Sequence, residues 1–323
     1  MSREEILLAL RKEGDYISGE ALAERLGVSR AAVWKQIHTL IDEGYVIDSQ
    51  QGHGYKLVSV PDMLYPFEVQ YGLQSKLLGR KVAHLDTTSS TNTVAKQMAE
   101  KGAQEGTVVI AETQSRGKGR LGRKYVAGPG GLWMSLILKP KIDPMHASSI
   151  TLLAAVSVTK ALRGIGLEAV IKWPNDVLVN GKKICGILTE MSAETDVVNF
   201  IILGIGVNLN NEAPLDTATS VKTELGRDVN RVEFTQSLLE ILEEDYVKFK
   251  EEGFTPILWS WRRYSDTLGR PVEVTYQSEV IRGIAEDVGD DGSLIVKLPD
   301  GSSRRIVSGD CTHLRAYKAP AHM

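Results

Sequence analysis

A loop rich in glycine and cationic side chains, residues 114–123, carries the clearest chemical signal in the chain. It reads Gln-Ser-Arg-Gly-Lys-Gly-Arg-Leu-Gly-Arg. Glycine lets a backbone approach a ligand closely and point its N–H groups at an anion. Lys118, Arg120 and Arg123 add up to three positive charges to the same short segment. The pattern predicts a site for a substrate that carries both a carboxylate and a phosphate.

Two standard phosphate-binding loops do not explain this segment. Gly117 and Gly122 have the separation of a Walker A loop, but Arg123-Lys124 stands where Lys-Ser or Lys-Thr is required. The segment also matches G-x-G-x-x-G, which opens a helix in dinucleotide-binding folds. Residues 125–131 contain three glycines and a proline and cannot form that helix. We therefore expect an anion-binding loop of another kind.

Three further motifs accompany the loop. They are Ser89-Ser90-Thr91-Asn92, Lys172-Trp173-Pro174-Asn175-Asp176 with Lys183 seven residues later, and Gly204-Ile205-Gly206-Val207-Asn208. In this order, the four motifs resemble the biotin–protein ligase family over residues 65–317. Together with its N-terminal segment, the chain resembles the bacterial members that combine biotin ligation with repression of the biotin operon.

Composition and charge exclude several other classes of protein. The chain has 323 residues, 42% of them hydrophobic and 24% charged, with a formal net charge of −3, as expected for a soluble protein of two or three domains. Two cysteines without metal-ligand spacing, and no G-x-S-x-G or H-E-x-x-H, leave disulfide scaffolds, serine hydrolases and zinc proteases without support. Without a signal peptide or an apolar run of about 20 residues, we expect a cytoplasmic protein that does not contact membranes.

Residues 1–62 predict a winged helix-turn-helix domain. Helices are expected at 2–12, 18–25 and 29–43, with Gly27 in the tight turn and a β-hairpin around residues 51–54. In such a domain the third helix enters the DNA major groove. The candidate DNA-binding residues are Ser29, which is also a plausible N-cap, Arg30, Lys35, Gln36 and His53.

The charge of this segment supports DNA binding less well than its pattern does. Residues 1–60 hold seven Lys or Arg against nine Asp or Glu, a net charge of −2. Because phosphate neutralisation dominates nucleic-acid affinity, we expect a monomer to bind DNA weakly and to need dimerisation. A winged helix can also be a protein-interaction module, and the residues alone leave that alternative open.

The rest of the chain predicts a catalytic domain, residues 63–267, and a smaller C-terminal domain, residues 268–323. Strands are expected at 107–112, 132–138, 170–172, 186–191 and 199–205, and helices at 92–101, 149–164 and 232–252. Periodicity does not separate an α/β from an α+β fold. The family resemblance implies α+β, a mixed sheet related to class II aminoacyl-tRNA synthetase cores, followed by an SH3-like β-barrel.

The resemblance also implies a biotin site. Ser90, Thr91 and Gln114 would bind the ureido group, and Trp133 and Leu188 are candidates for apolar walls. Ser-Ser-Thr-Asn is equally typical of a helix N-cap, and both interpretations can hold together. The full set expected to bind biotin is Ser90, Thr91, Asn92, Gln114, Gly117, Lys118, Gly119, Arg120, Lys183, Gly204 and Gly206.

A nucleotide site follows from the same resemblance, because the family joins biotin to AMP before transferring it to a lysine. The expected nucleotide-binding residues are Arg120, Arg123, Tyr125, Asp176 and Asn208. Lys183, Arg120 and Asp176 are the expected catalytic residues, although Lys183 in a Gly-Lys-Lys turn could be a solvated lysine. Mg²⁺ is expected to arrive with ATP near Asp176, and no protein metal site is assigned.

Three functions remain open: a ligase that also represses transcription, a biotin-sensing transcription factor without turnover, and a lipoate-type ligase. The loop of residues 114–123, called the cation loop below, favours catalysis, because a protein that only senses biotin needs no cations to bind a phosphate. The implied partners are biotin, ATP, the biotin-carrier domains of carboxylases, and operator DNA of biotin synthesis or transport genes. A homodimer promoted by biotinyl-AMP is also expected, through ordering of residues 117–123 and 210–222 beside a sheet edge near residues 186–191.

Overall fold

The computed structural model describes residues 3–194, 197–213, 215–276 and 279–314. The chain divides into two compact units, Met1–Met63 and Leu64–Met323. The end of the expected C-terminal domain, residues 315–323, lies outside the described residues.

The first unit consists of three helices and a hairpin. Its elements are α1 (Arg3–Glu13), α2 (Gly19–Leu26), α3 (Arg30–Asp42), β1 (Val46–Gln50) and β2 (Gly54–Ser59). Apolar side chains at helical spacing form its core, so the 3.6-residue period accounts for the packing. The fully buried members include Ile6, Leu10, Leu22, Val33, Ile37 and Leu40. The order of elements is that of a winged helix-turn-helix, as the sequence predicts.

The turn between α2 and α3 is set by its capping residues. Gly27 ends α2 with φ 65°, a left-handed conformation that glycine adopts without steric cost. Ser29 Oγ accepts a hydrogen bond from the Ala32 amide at 3.2 Å and starts α3. The predicted N-cap role of Ser29 is therefore observed.

The second unit is built on an eight-stranded mixed sheet. Its strands are β3 (Lys81–Thr88), β4 (Thr107–Lys118), β5 (Lys124–Ala127), β6 (Leu132–Leu138), β7 (Val170–Lys172), β8 (Asp176–Val179), β9 (Lys182–Glu194) and β10 (Val197–Val207). The order is β3-β4-β6-β10-β9-β8-β7, and β5 pairs with β4. Only β3 and β4 run parallel among these described pairs. The unit is α+β, in agreement with the prediction.

Helices cover both faces of this sheet. They are α4 (Pro66–Gln70), α5 (Thr91–Glu100), α6 (Ala147–Gly164), α7 (Val221–Leu225), α8 (Arg231–Glu252) and α9 (Thr255–Tyr264). Because side chains alternate along a strand, Val109 packs with Ala95 of α5, whereas Val108 and Ile110 belong to the core that contains α6 and α8. Helices α4, α7 and α9 were not predicted from the sequence.

Helix α6 is the apolar centre of the second unit. The segment Pro144–Gly164 is long and apolar enough to cross a membrane by length and composition alone, contrary to the expectation that no run approaches that length. However, 67% of its apolar window is buried inside the protein. A core helix meets the same criterion, and here the sheet covers it.

The C-terminal part forms a five-stranded antiparallel sheet within the same compact unit. Its strands are β11 (Pro271–Tyr276), β12 (Glu279–Val288), β13 (Leu294–Lys297), β14 (Ser303–Ile306) and β15 (Asp310–His313), in the order β14-β13-β12-β11-β15. Val272, Val274 and Leu294 join the core of the larger sheet. Trp173 connects the two sheets, since its Nε1 donates to the Gly292 carbonyl at 3.1 Å.

A buried ion-pair network fixes the start of the second unit. Glu112 Oε1 accepts hydrogen bonds from the Leu64 amide at 2.9 Å and from His84 Nε2 at 3.0 Å. Its Oε2 lies 2.9 Å from Arg231 Nη1. Burial opposes ionisation of Glu112, but these donors outweigh burial and hold its pKa below the ordinary value.

Replacing Glu112 by Gln should lower the free energy of unfolding by about 3–5 kcal/mol at neutral pH, because the buried ion pair between Glu112 and Arg231 is broken. Since the pKa of Glu112 is lower in the folded state, its contribution is full above the unfolded pKa and disappears as pH falls through the folded one. Urea unfolding should therefore show that the difference in the free energy of unfolding between the wild type and Glu112→Gln becomes smaller as the pH falls from neutral to acid. Glu168→Gln is the control, because Glu168 is 83% exposed in its pair with Arg163; equal small losses for both variants would contradict the network.

Candidate active site

A cavity of about 480 Å³ lies where β4, β9 and β10 meet the C-terminal sheet. This volume is in the range of small-molecule sites, about 300–1,000 Å³. Thirteen of the fifteen predicted biotin- and nucleotide-site residues line it: Ser90, Thr91, Asn92, Gln114, Lys118, Gly119, Arg120, Arg123, Tyr125, Asp176, Lys183, Gly204 and Gly206. Motifs from distant parts of the chain thus converge on one site.

One end of the cavity is a network of hydroxyl, amide and carboxylate groups. Gln114 Oε1 accepts from the Thr91 amide at 2.8 Å. Ser135 Oγ donates to Asn92 Oδ1 at 2.6 Å, and Asn92 Nδ2 donates to Glu190 Oε2 at 2.7 Å. These contacts fix the Asn92 amide and the Gln114 carbonyl oxygen in place before a ligand binds. Ser135 and Glu190 carry no sequence signal and were not predicted.

Ser90 lies both at the predicted helix start and in the cavity lining. It occupies the N-cap position of α5, but its side chain makes no capping hydrogen bond. The residue is only 2% exposed and lines the cavity. The start of α5 therefore positions the Ser90 hydroxyl at the cavity, and the hydroxyl makes no capping hydrogen bond to the helix.

Three glycines leave room for the side chains that shape the cavity. A Cβ at Gly204 would lie 2.2 Å from Asn92 Oδ1, and one at Gly206 would lie 2.7 Å from the Tyr125 ring. Gly186, paired with Gly206 across β9 and β10, would meet the same ring at 2.9 Å. Gly186 was not among the predicted site residues.

Tyr125 packs over this glycine pair. Its Oη donates to the Gly206 carbonyl at 2.9 Å, and burial raises its pKa well above the ordinary value. The ring is a neutral, fixed wall of the cavity. Among the candidate apolar walls, Leu188 lines the cavity, whereas Trp133 is fully buried, with Nε1 bound to the Gly128 carbonyl at 2.7 Å.

The other end of the cavity is highly charged. Lys183 Nζ lies 2.6 Å from Asp176 Oδ1, across β8 and β9. The Lys183 amide donates to the Thr217 carbonyl at 2.9 Å, so its backbone is anchored. This arrangement favours a functional lysine over a solvated turn lysine.

The cation loop is an extension of the sheet that docks on the C-terminal strands. Strand β4 runs to Lys118, a 3₁₀ turn spans Arg120–Gly122, and β5 follows, so no helix opens after the glycines. Arg120 Nη1 donates to the Gly309 carbonyl at 3.0 Å, and Arg123 pairs with Asp310. Burial lowers the pKa of Arg120, and Asp310 and Asp176 oppose that shift.

Several cavity residues escaped prediction. Lys172 directly precedes a predicted motif and Lys124 directly follows the loop, which are the signals that could have identified them. Asp310, Cys311 and Thr312 come from β15 and had no such signal. Burial raises the pKa of Cys311 to about 12, so this residue is a thiol and not a nucleophilic thiolate at neutral pH.

Two predicted residues do not line this cavity. Asn208 is 4% exposed, donates to the Thr219 carbonyl at 2.9 Å, and accepts from Asn211 Nδ2 at 3.0 Å. Its amide ties the end of β10 to the segment that follows. Gly117 lies in an adjoining cavity of about 590 Å³, which also includes Glu190.

The donors of the cavity fit a metal ion that is bound mainly through a phosphate ligand. Within the described ranges, no group of three or more His, Cys, Asp or Glu side chains could hold a metal ion. Asp176 and Asp310 are carboxylates in the cavity lining. Mg²⁺ is typically held by one or two carboxylates together with substrate phosphates and water, and Asp176 can supply such an oxygen.

The predicted DNA-binding residues differ in accessibility. Arg30 and Lys35 are exposed on α3, and His53 is exposed in the turn of the hairpin. Gln36 is half-buried and lies between the exposed face and the core face of α3. Ser29 is exposed, with its hydroxyl engaged at the helix start.

Comparison with known proteins matches three segments of the chain to family models and most of its length to individual proteins. The Biotin/lipoate A/B protein ligase family matches residues 85–208, an HTH domain matches 2–56, and the Biotin protein ligase C terminal domain matches 267–314. The chain is 38% identical to Bifunctional ligase/repressor BirA of Bacillus spizizenii, over 92% of this chain and 93% of that protein. It is 30% identical to the protein of the same name from Escherichia coli, over 97% of each.

A solved structure gives the same result for the second unit. Biotin protein ligase from Aquifex aeolicus, in complex with biotin and ATP, matches with a TM-score of 0.63 at 28% identity, over 73% of this chain and 100% of that chain. The fold and these matches define a protein ligase of the biotin/lipoate class that carries a helix-turn-helix domain. Within that class, this chain belongs to the biotin–protein ligase family and shares the full domain set of its bifunctional ligase/repressor members.

Replacing Asp310 by Asn should loosen the cation loop, because the Arg123 ion pair holds the loop on the C-terminal sheet. An exposed pair contributes up to about 1 kcal/mol, which corresponds to an up to fivefold larger open population. Limited trypsin digestion should therefore cleave within residues 116–124 up to about fivefold faster. Asp300→Asn is the control, since Asp300 bonds within its own turn to Ser302; identical cleavage rates in the two variants would contradict this role of Asp310.

Proposed function

We propose that this chain is an ATP-dependent biotin–protein ligase that also represses transcription in response to biotin. The enzyme forms biotinyl-5′-AMP and transfers biotin to a lysine of carboxylase biotin-carrier domains in the cytoplasm. The observation that carries the proposal is the single cavity with a polar network at one end and the cations Arg120, Arg123 and Lys183 at the other. Biotin has a ureido ring at one end and a carboxylate at the other, and this cavity matches both.

The polar network suits the ureido group. A ureido oxygen needs hydrogen-bond donors and its two N–H groups need acceptors, and the hydroxyls of Ser90 and Thr91 can provide either. Gln114 and Asn92 are already oriented by their neighbours. Leu188, Ile187 and Ile205 give the lining its apolar part, as an apolar bicyclic ring requires.

The cationic end suits formation of a mixed anhydride. The biotin carboxylate attacks the α-phosphorus of ATP, the bond to the β-phosphate bridging oxygen breaks, and pyrophosphate leaves. Two anions must approach each other, so positive charge placed in advance lowers the barrier. Arg120, Arg123 and Lys183 supply that charge. Mg²⁺ bound with ATP adds charge neutralisation, and Asp176 would contribute to holding it.

The second reaction transfers biotin to the acceptor. The lysine amine attacks the acyl carbon of biotinyl-AMP, an amide bond forms, and AMP leaves. Asp176 is the carboxylate placed to take the proton of the attacking amine. Lys183, its partner at 2.6 Å, stabilises the departing phosphate.

A ligase explains the cavity better than the two alternatives do. A sensor that only binds biotin has no use for the cations that would surround a phosphate. A lipoate ligase belongs to the same matched family, but the 38% identical relative is named a bifunctional ligase/repressor, and the matched solved structure is a biotin protein ligase in complex with biotin and ATP.

Replacing Lys183 by Ala should lower the rate of biotinyl-AMP formation by about tenfold to a hundredfold, because a charge-assisted bond worth about 1.5–3 kcal/mol is lost. Release of pyrophosphate with biotin and ATP measures this rate. Thermal unfolding should change little, since the Lys183 side chain is 35% exposed. Lys182→Ala is the matched control, because Lys182 is the exposed neighbour; normal turnover per folded Lys183→Ala molecule would rule out the catalytic assignment.

We further propose that biotinyl-AMP promotes a homodimer and thereby operator binding. One winged helix of net charge −2 has little phosphate attraction, whereas two on a two-fold axis would read a palindromic operator. Strand β9 supports this proposal. It pairs with β8 from Lys182 to Gly186 and not beyond. Among the described strands, residues 188–194 therefore have β10 on one side and a free edge on the other.

Biotin plus ATP should shift the wild-type protein toward dimer at micromolar concentration in analytical ultracentrifugation, compared with neither ligand. Lys183→Ala should stay monomeric with biotin and ATP, because it makes little adenylate, and should dimerise when a non-hydrolysable biotinyl-AMP analogue is added. Operator affinity that does not respond to biotin and ATP would refute the corepressor proposal.

A further inference from the structure

An exposed tryptophan lies on the helix expected to enter the DNA major groove. Trp34 of α3 is 54% exposed, although side chains of this size and apolarity are normally buried. Its neighbours on the same helix face are the exposed residues Arg30, Ala31, Lys35 and His38. The opposite face carries the core residues Val33, Ile37 and Leu40. The indole therefore contributes to the surface of the first unit and not to its core.

The orientation of this indole is fixed by its neighbour one turn later. The rings of Trp34 and His38 have centroids 3.8 Å apart at an interplanar angle of 35°. His38 Nδ1 lies 2.8 Å from the Trp34 carbonyl oxygen. A carbonyl only accepts, so Nδ1 carries the hydrogen, and in the neutral imidazole Nε2 is left as an acceptor. The pair presents an apolar plate with a hydrogen-bond acceptor beside it.

The charges around the pair favour DNA over a protein partner. Arg30 lies one turn before Trp34 and Lys35 directly follows it, and neither forms an ion pair with a residue that the structure describes. Base edges in the major groove offer one apolar group, the C5-methyl of thymine, and phosphates lie on both sides of it. An apolar plate flanked by unpaired cations is complementary to that arrangement.

We infer that Trp34 contacts the C5-methyl group of a thymine in each operator half-site, and that His38 accepts a hydrogen bond from the exocyclic amino group of an adjoining base. The inference rests on the proposed operator binding. It assigns sequence selectivity to two residues outside the predicted DNA-binding set, and leaves phosphate contact to Arg30 and Lys35.

Substitution of deoxyuridine for thymidine tests the inference, because it removes only the methyl group. The probe is a duplex selected from a randomised pool by the full-length protein with biotin and ATP. At one thymine of each half-site, the change should weaken wild-type binding about fourfold per methyl, or about fifteenfold for both half-sites. Trp34→Ala should lose a similar factor on the thymine duplex and should not respond to deoxyuridine at that position.

Two variants make the comparison specific. Trp34→Phe should keep part of the methyl preference. Trp259→Ala removes another tryptophan, 70% exposed on α9, and should leave DNA binding unchanged. Circular dichroism and thermal unfolding that match the wild type show that the helix-turn-helix unit of each variant is folded.

Three results would overturn the inference. Trp34→Ala could keep the wild-type affinity, or lose the same factor at the same deoxyuridine as the wild type. It could instead weaken ligand-promoted dimerisation in the absence of DNA, which would assign Trp34 to a protein contact. If the wild type selects no duplex, the operator-binding proposal itself fails, and this inference fails with it.

Discussion

Repulsion between like charges is the constraint on which the second unit depends, because its cavity must hold several cations together before any anion binds. Two unit charges 4 Å apart repel by about 4 kcal/mol at an effective dielectric constant near 20. The protein offsets each cation with its own oxygen. Lys118 lies 3.6 Å from Glu190, Lys183 pairs with Asp176, Arg120 binds the Gly309 carbonyl, and Arg123 pairs with Asp310. Ligand phosphates would replace part of this internal compensation.

Since two of those oxygens belong to the C-terminal sheet, that sheet is part of the site. The two sheets are held together by the shared core, which includes Val272 and Val274, and by the hydrogen bond from Trp173 to Gly292. The Lys-Trp-Pro-Asn-Asp motif therefore has two uses. Asp176 acts in the cavity, while Trp173 positions the sheet that completes the cavity.

The sequence predicts the parts of this protein that are encoded locally. Helical periodicity locates α3 and α6, and the glycines of β10 are visible as a motif whose steric reason is the Asn92 amide and the Tyr125 ring. The predicted strand at 107–112 was too short, because β4 continues to Lys118 through polar and glycine residues, which pair with β3 as far as Gln114 and with β5 as far as Lys118. Asp310 was not predictable, since its role arises from contact with a loop 187 positions away.

Asn208 has a role in the fold that its motif does not indicate. The family resemblance implies that Asn208 contacts a nucleotide, which stays a prediction, and in the folded chain its amide bonds to the segment after β10. Net charge is an incomplete guide in the first unit. A total of −2 hides a face of α3 where Arg30 and Lys35 are exposed, and only the folded helix separates that face from the acidic ones.

The anchoring of Leu64 has a mechanical consequence for the chain. The segment that leaves the helix-turn-helix unit becomes part of the second unit at a single buried carboxylate, Glu112, which is on β4. Two residues further along that strand, Gln114 borders the ligand cavity, and Lys118 ends the strand in the cation loop. Strand β4 thus connects the anchor of Leu64 to the ligand cavity, so a substitution that displaces Leu64 would act on the same strand that carries Gln114 and Lys118.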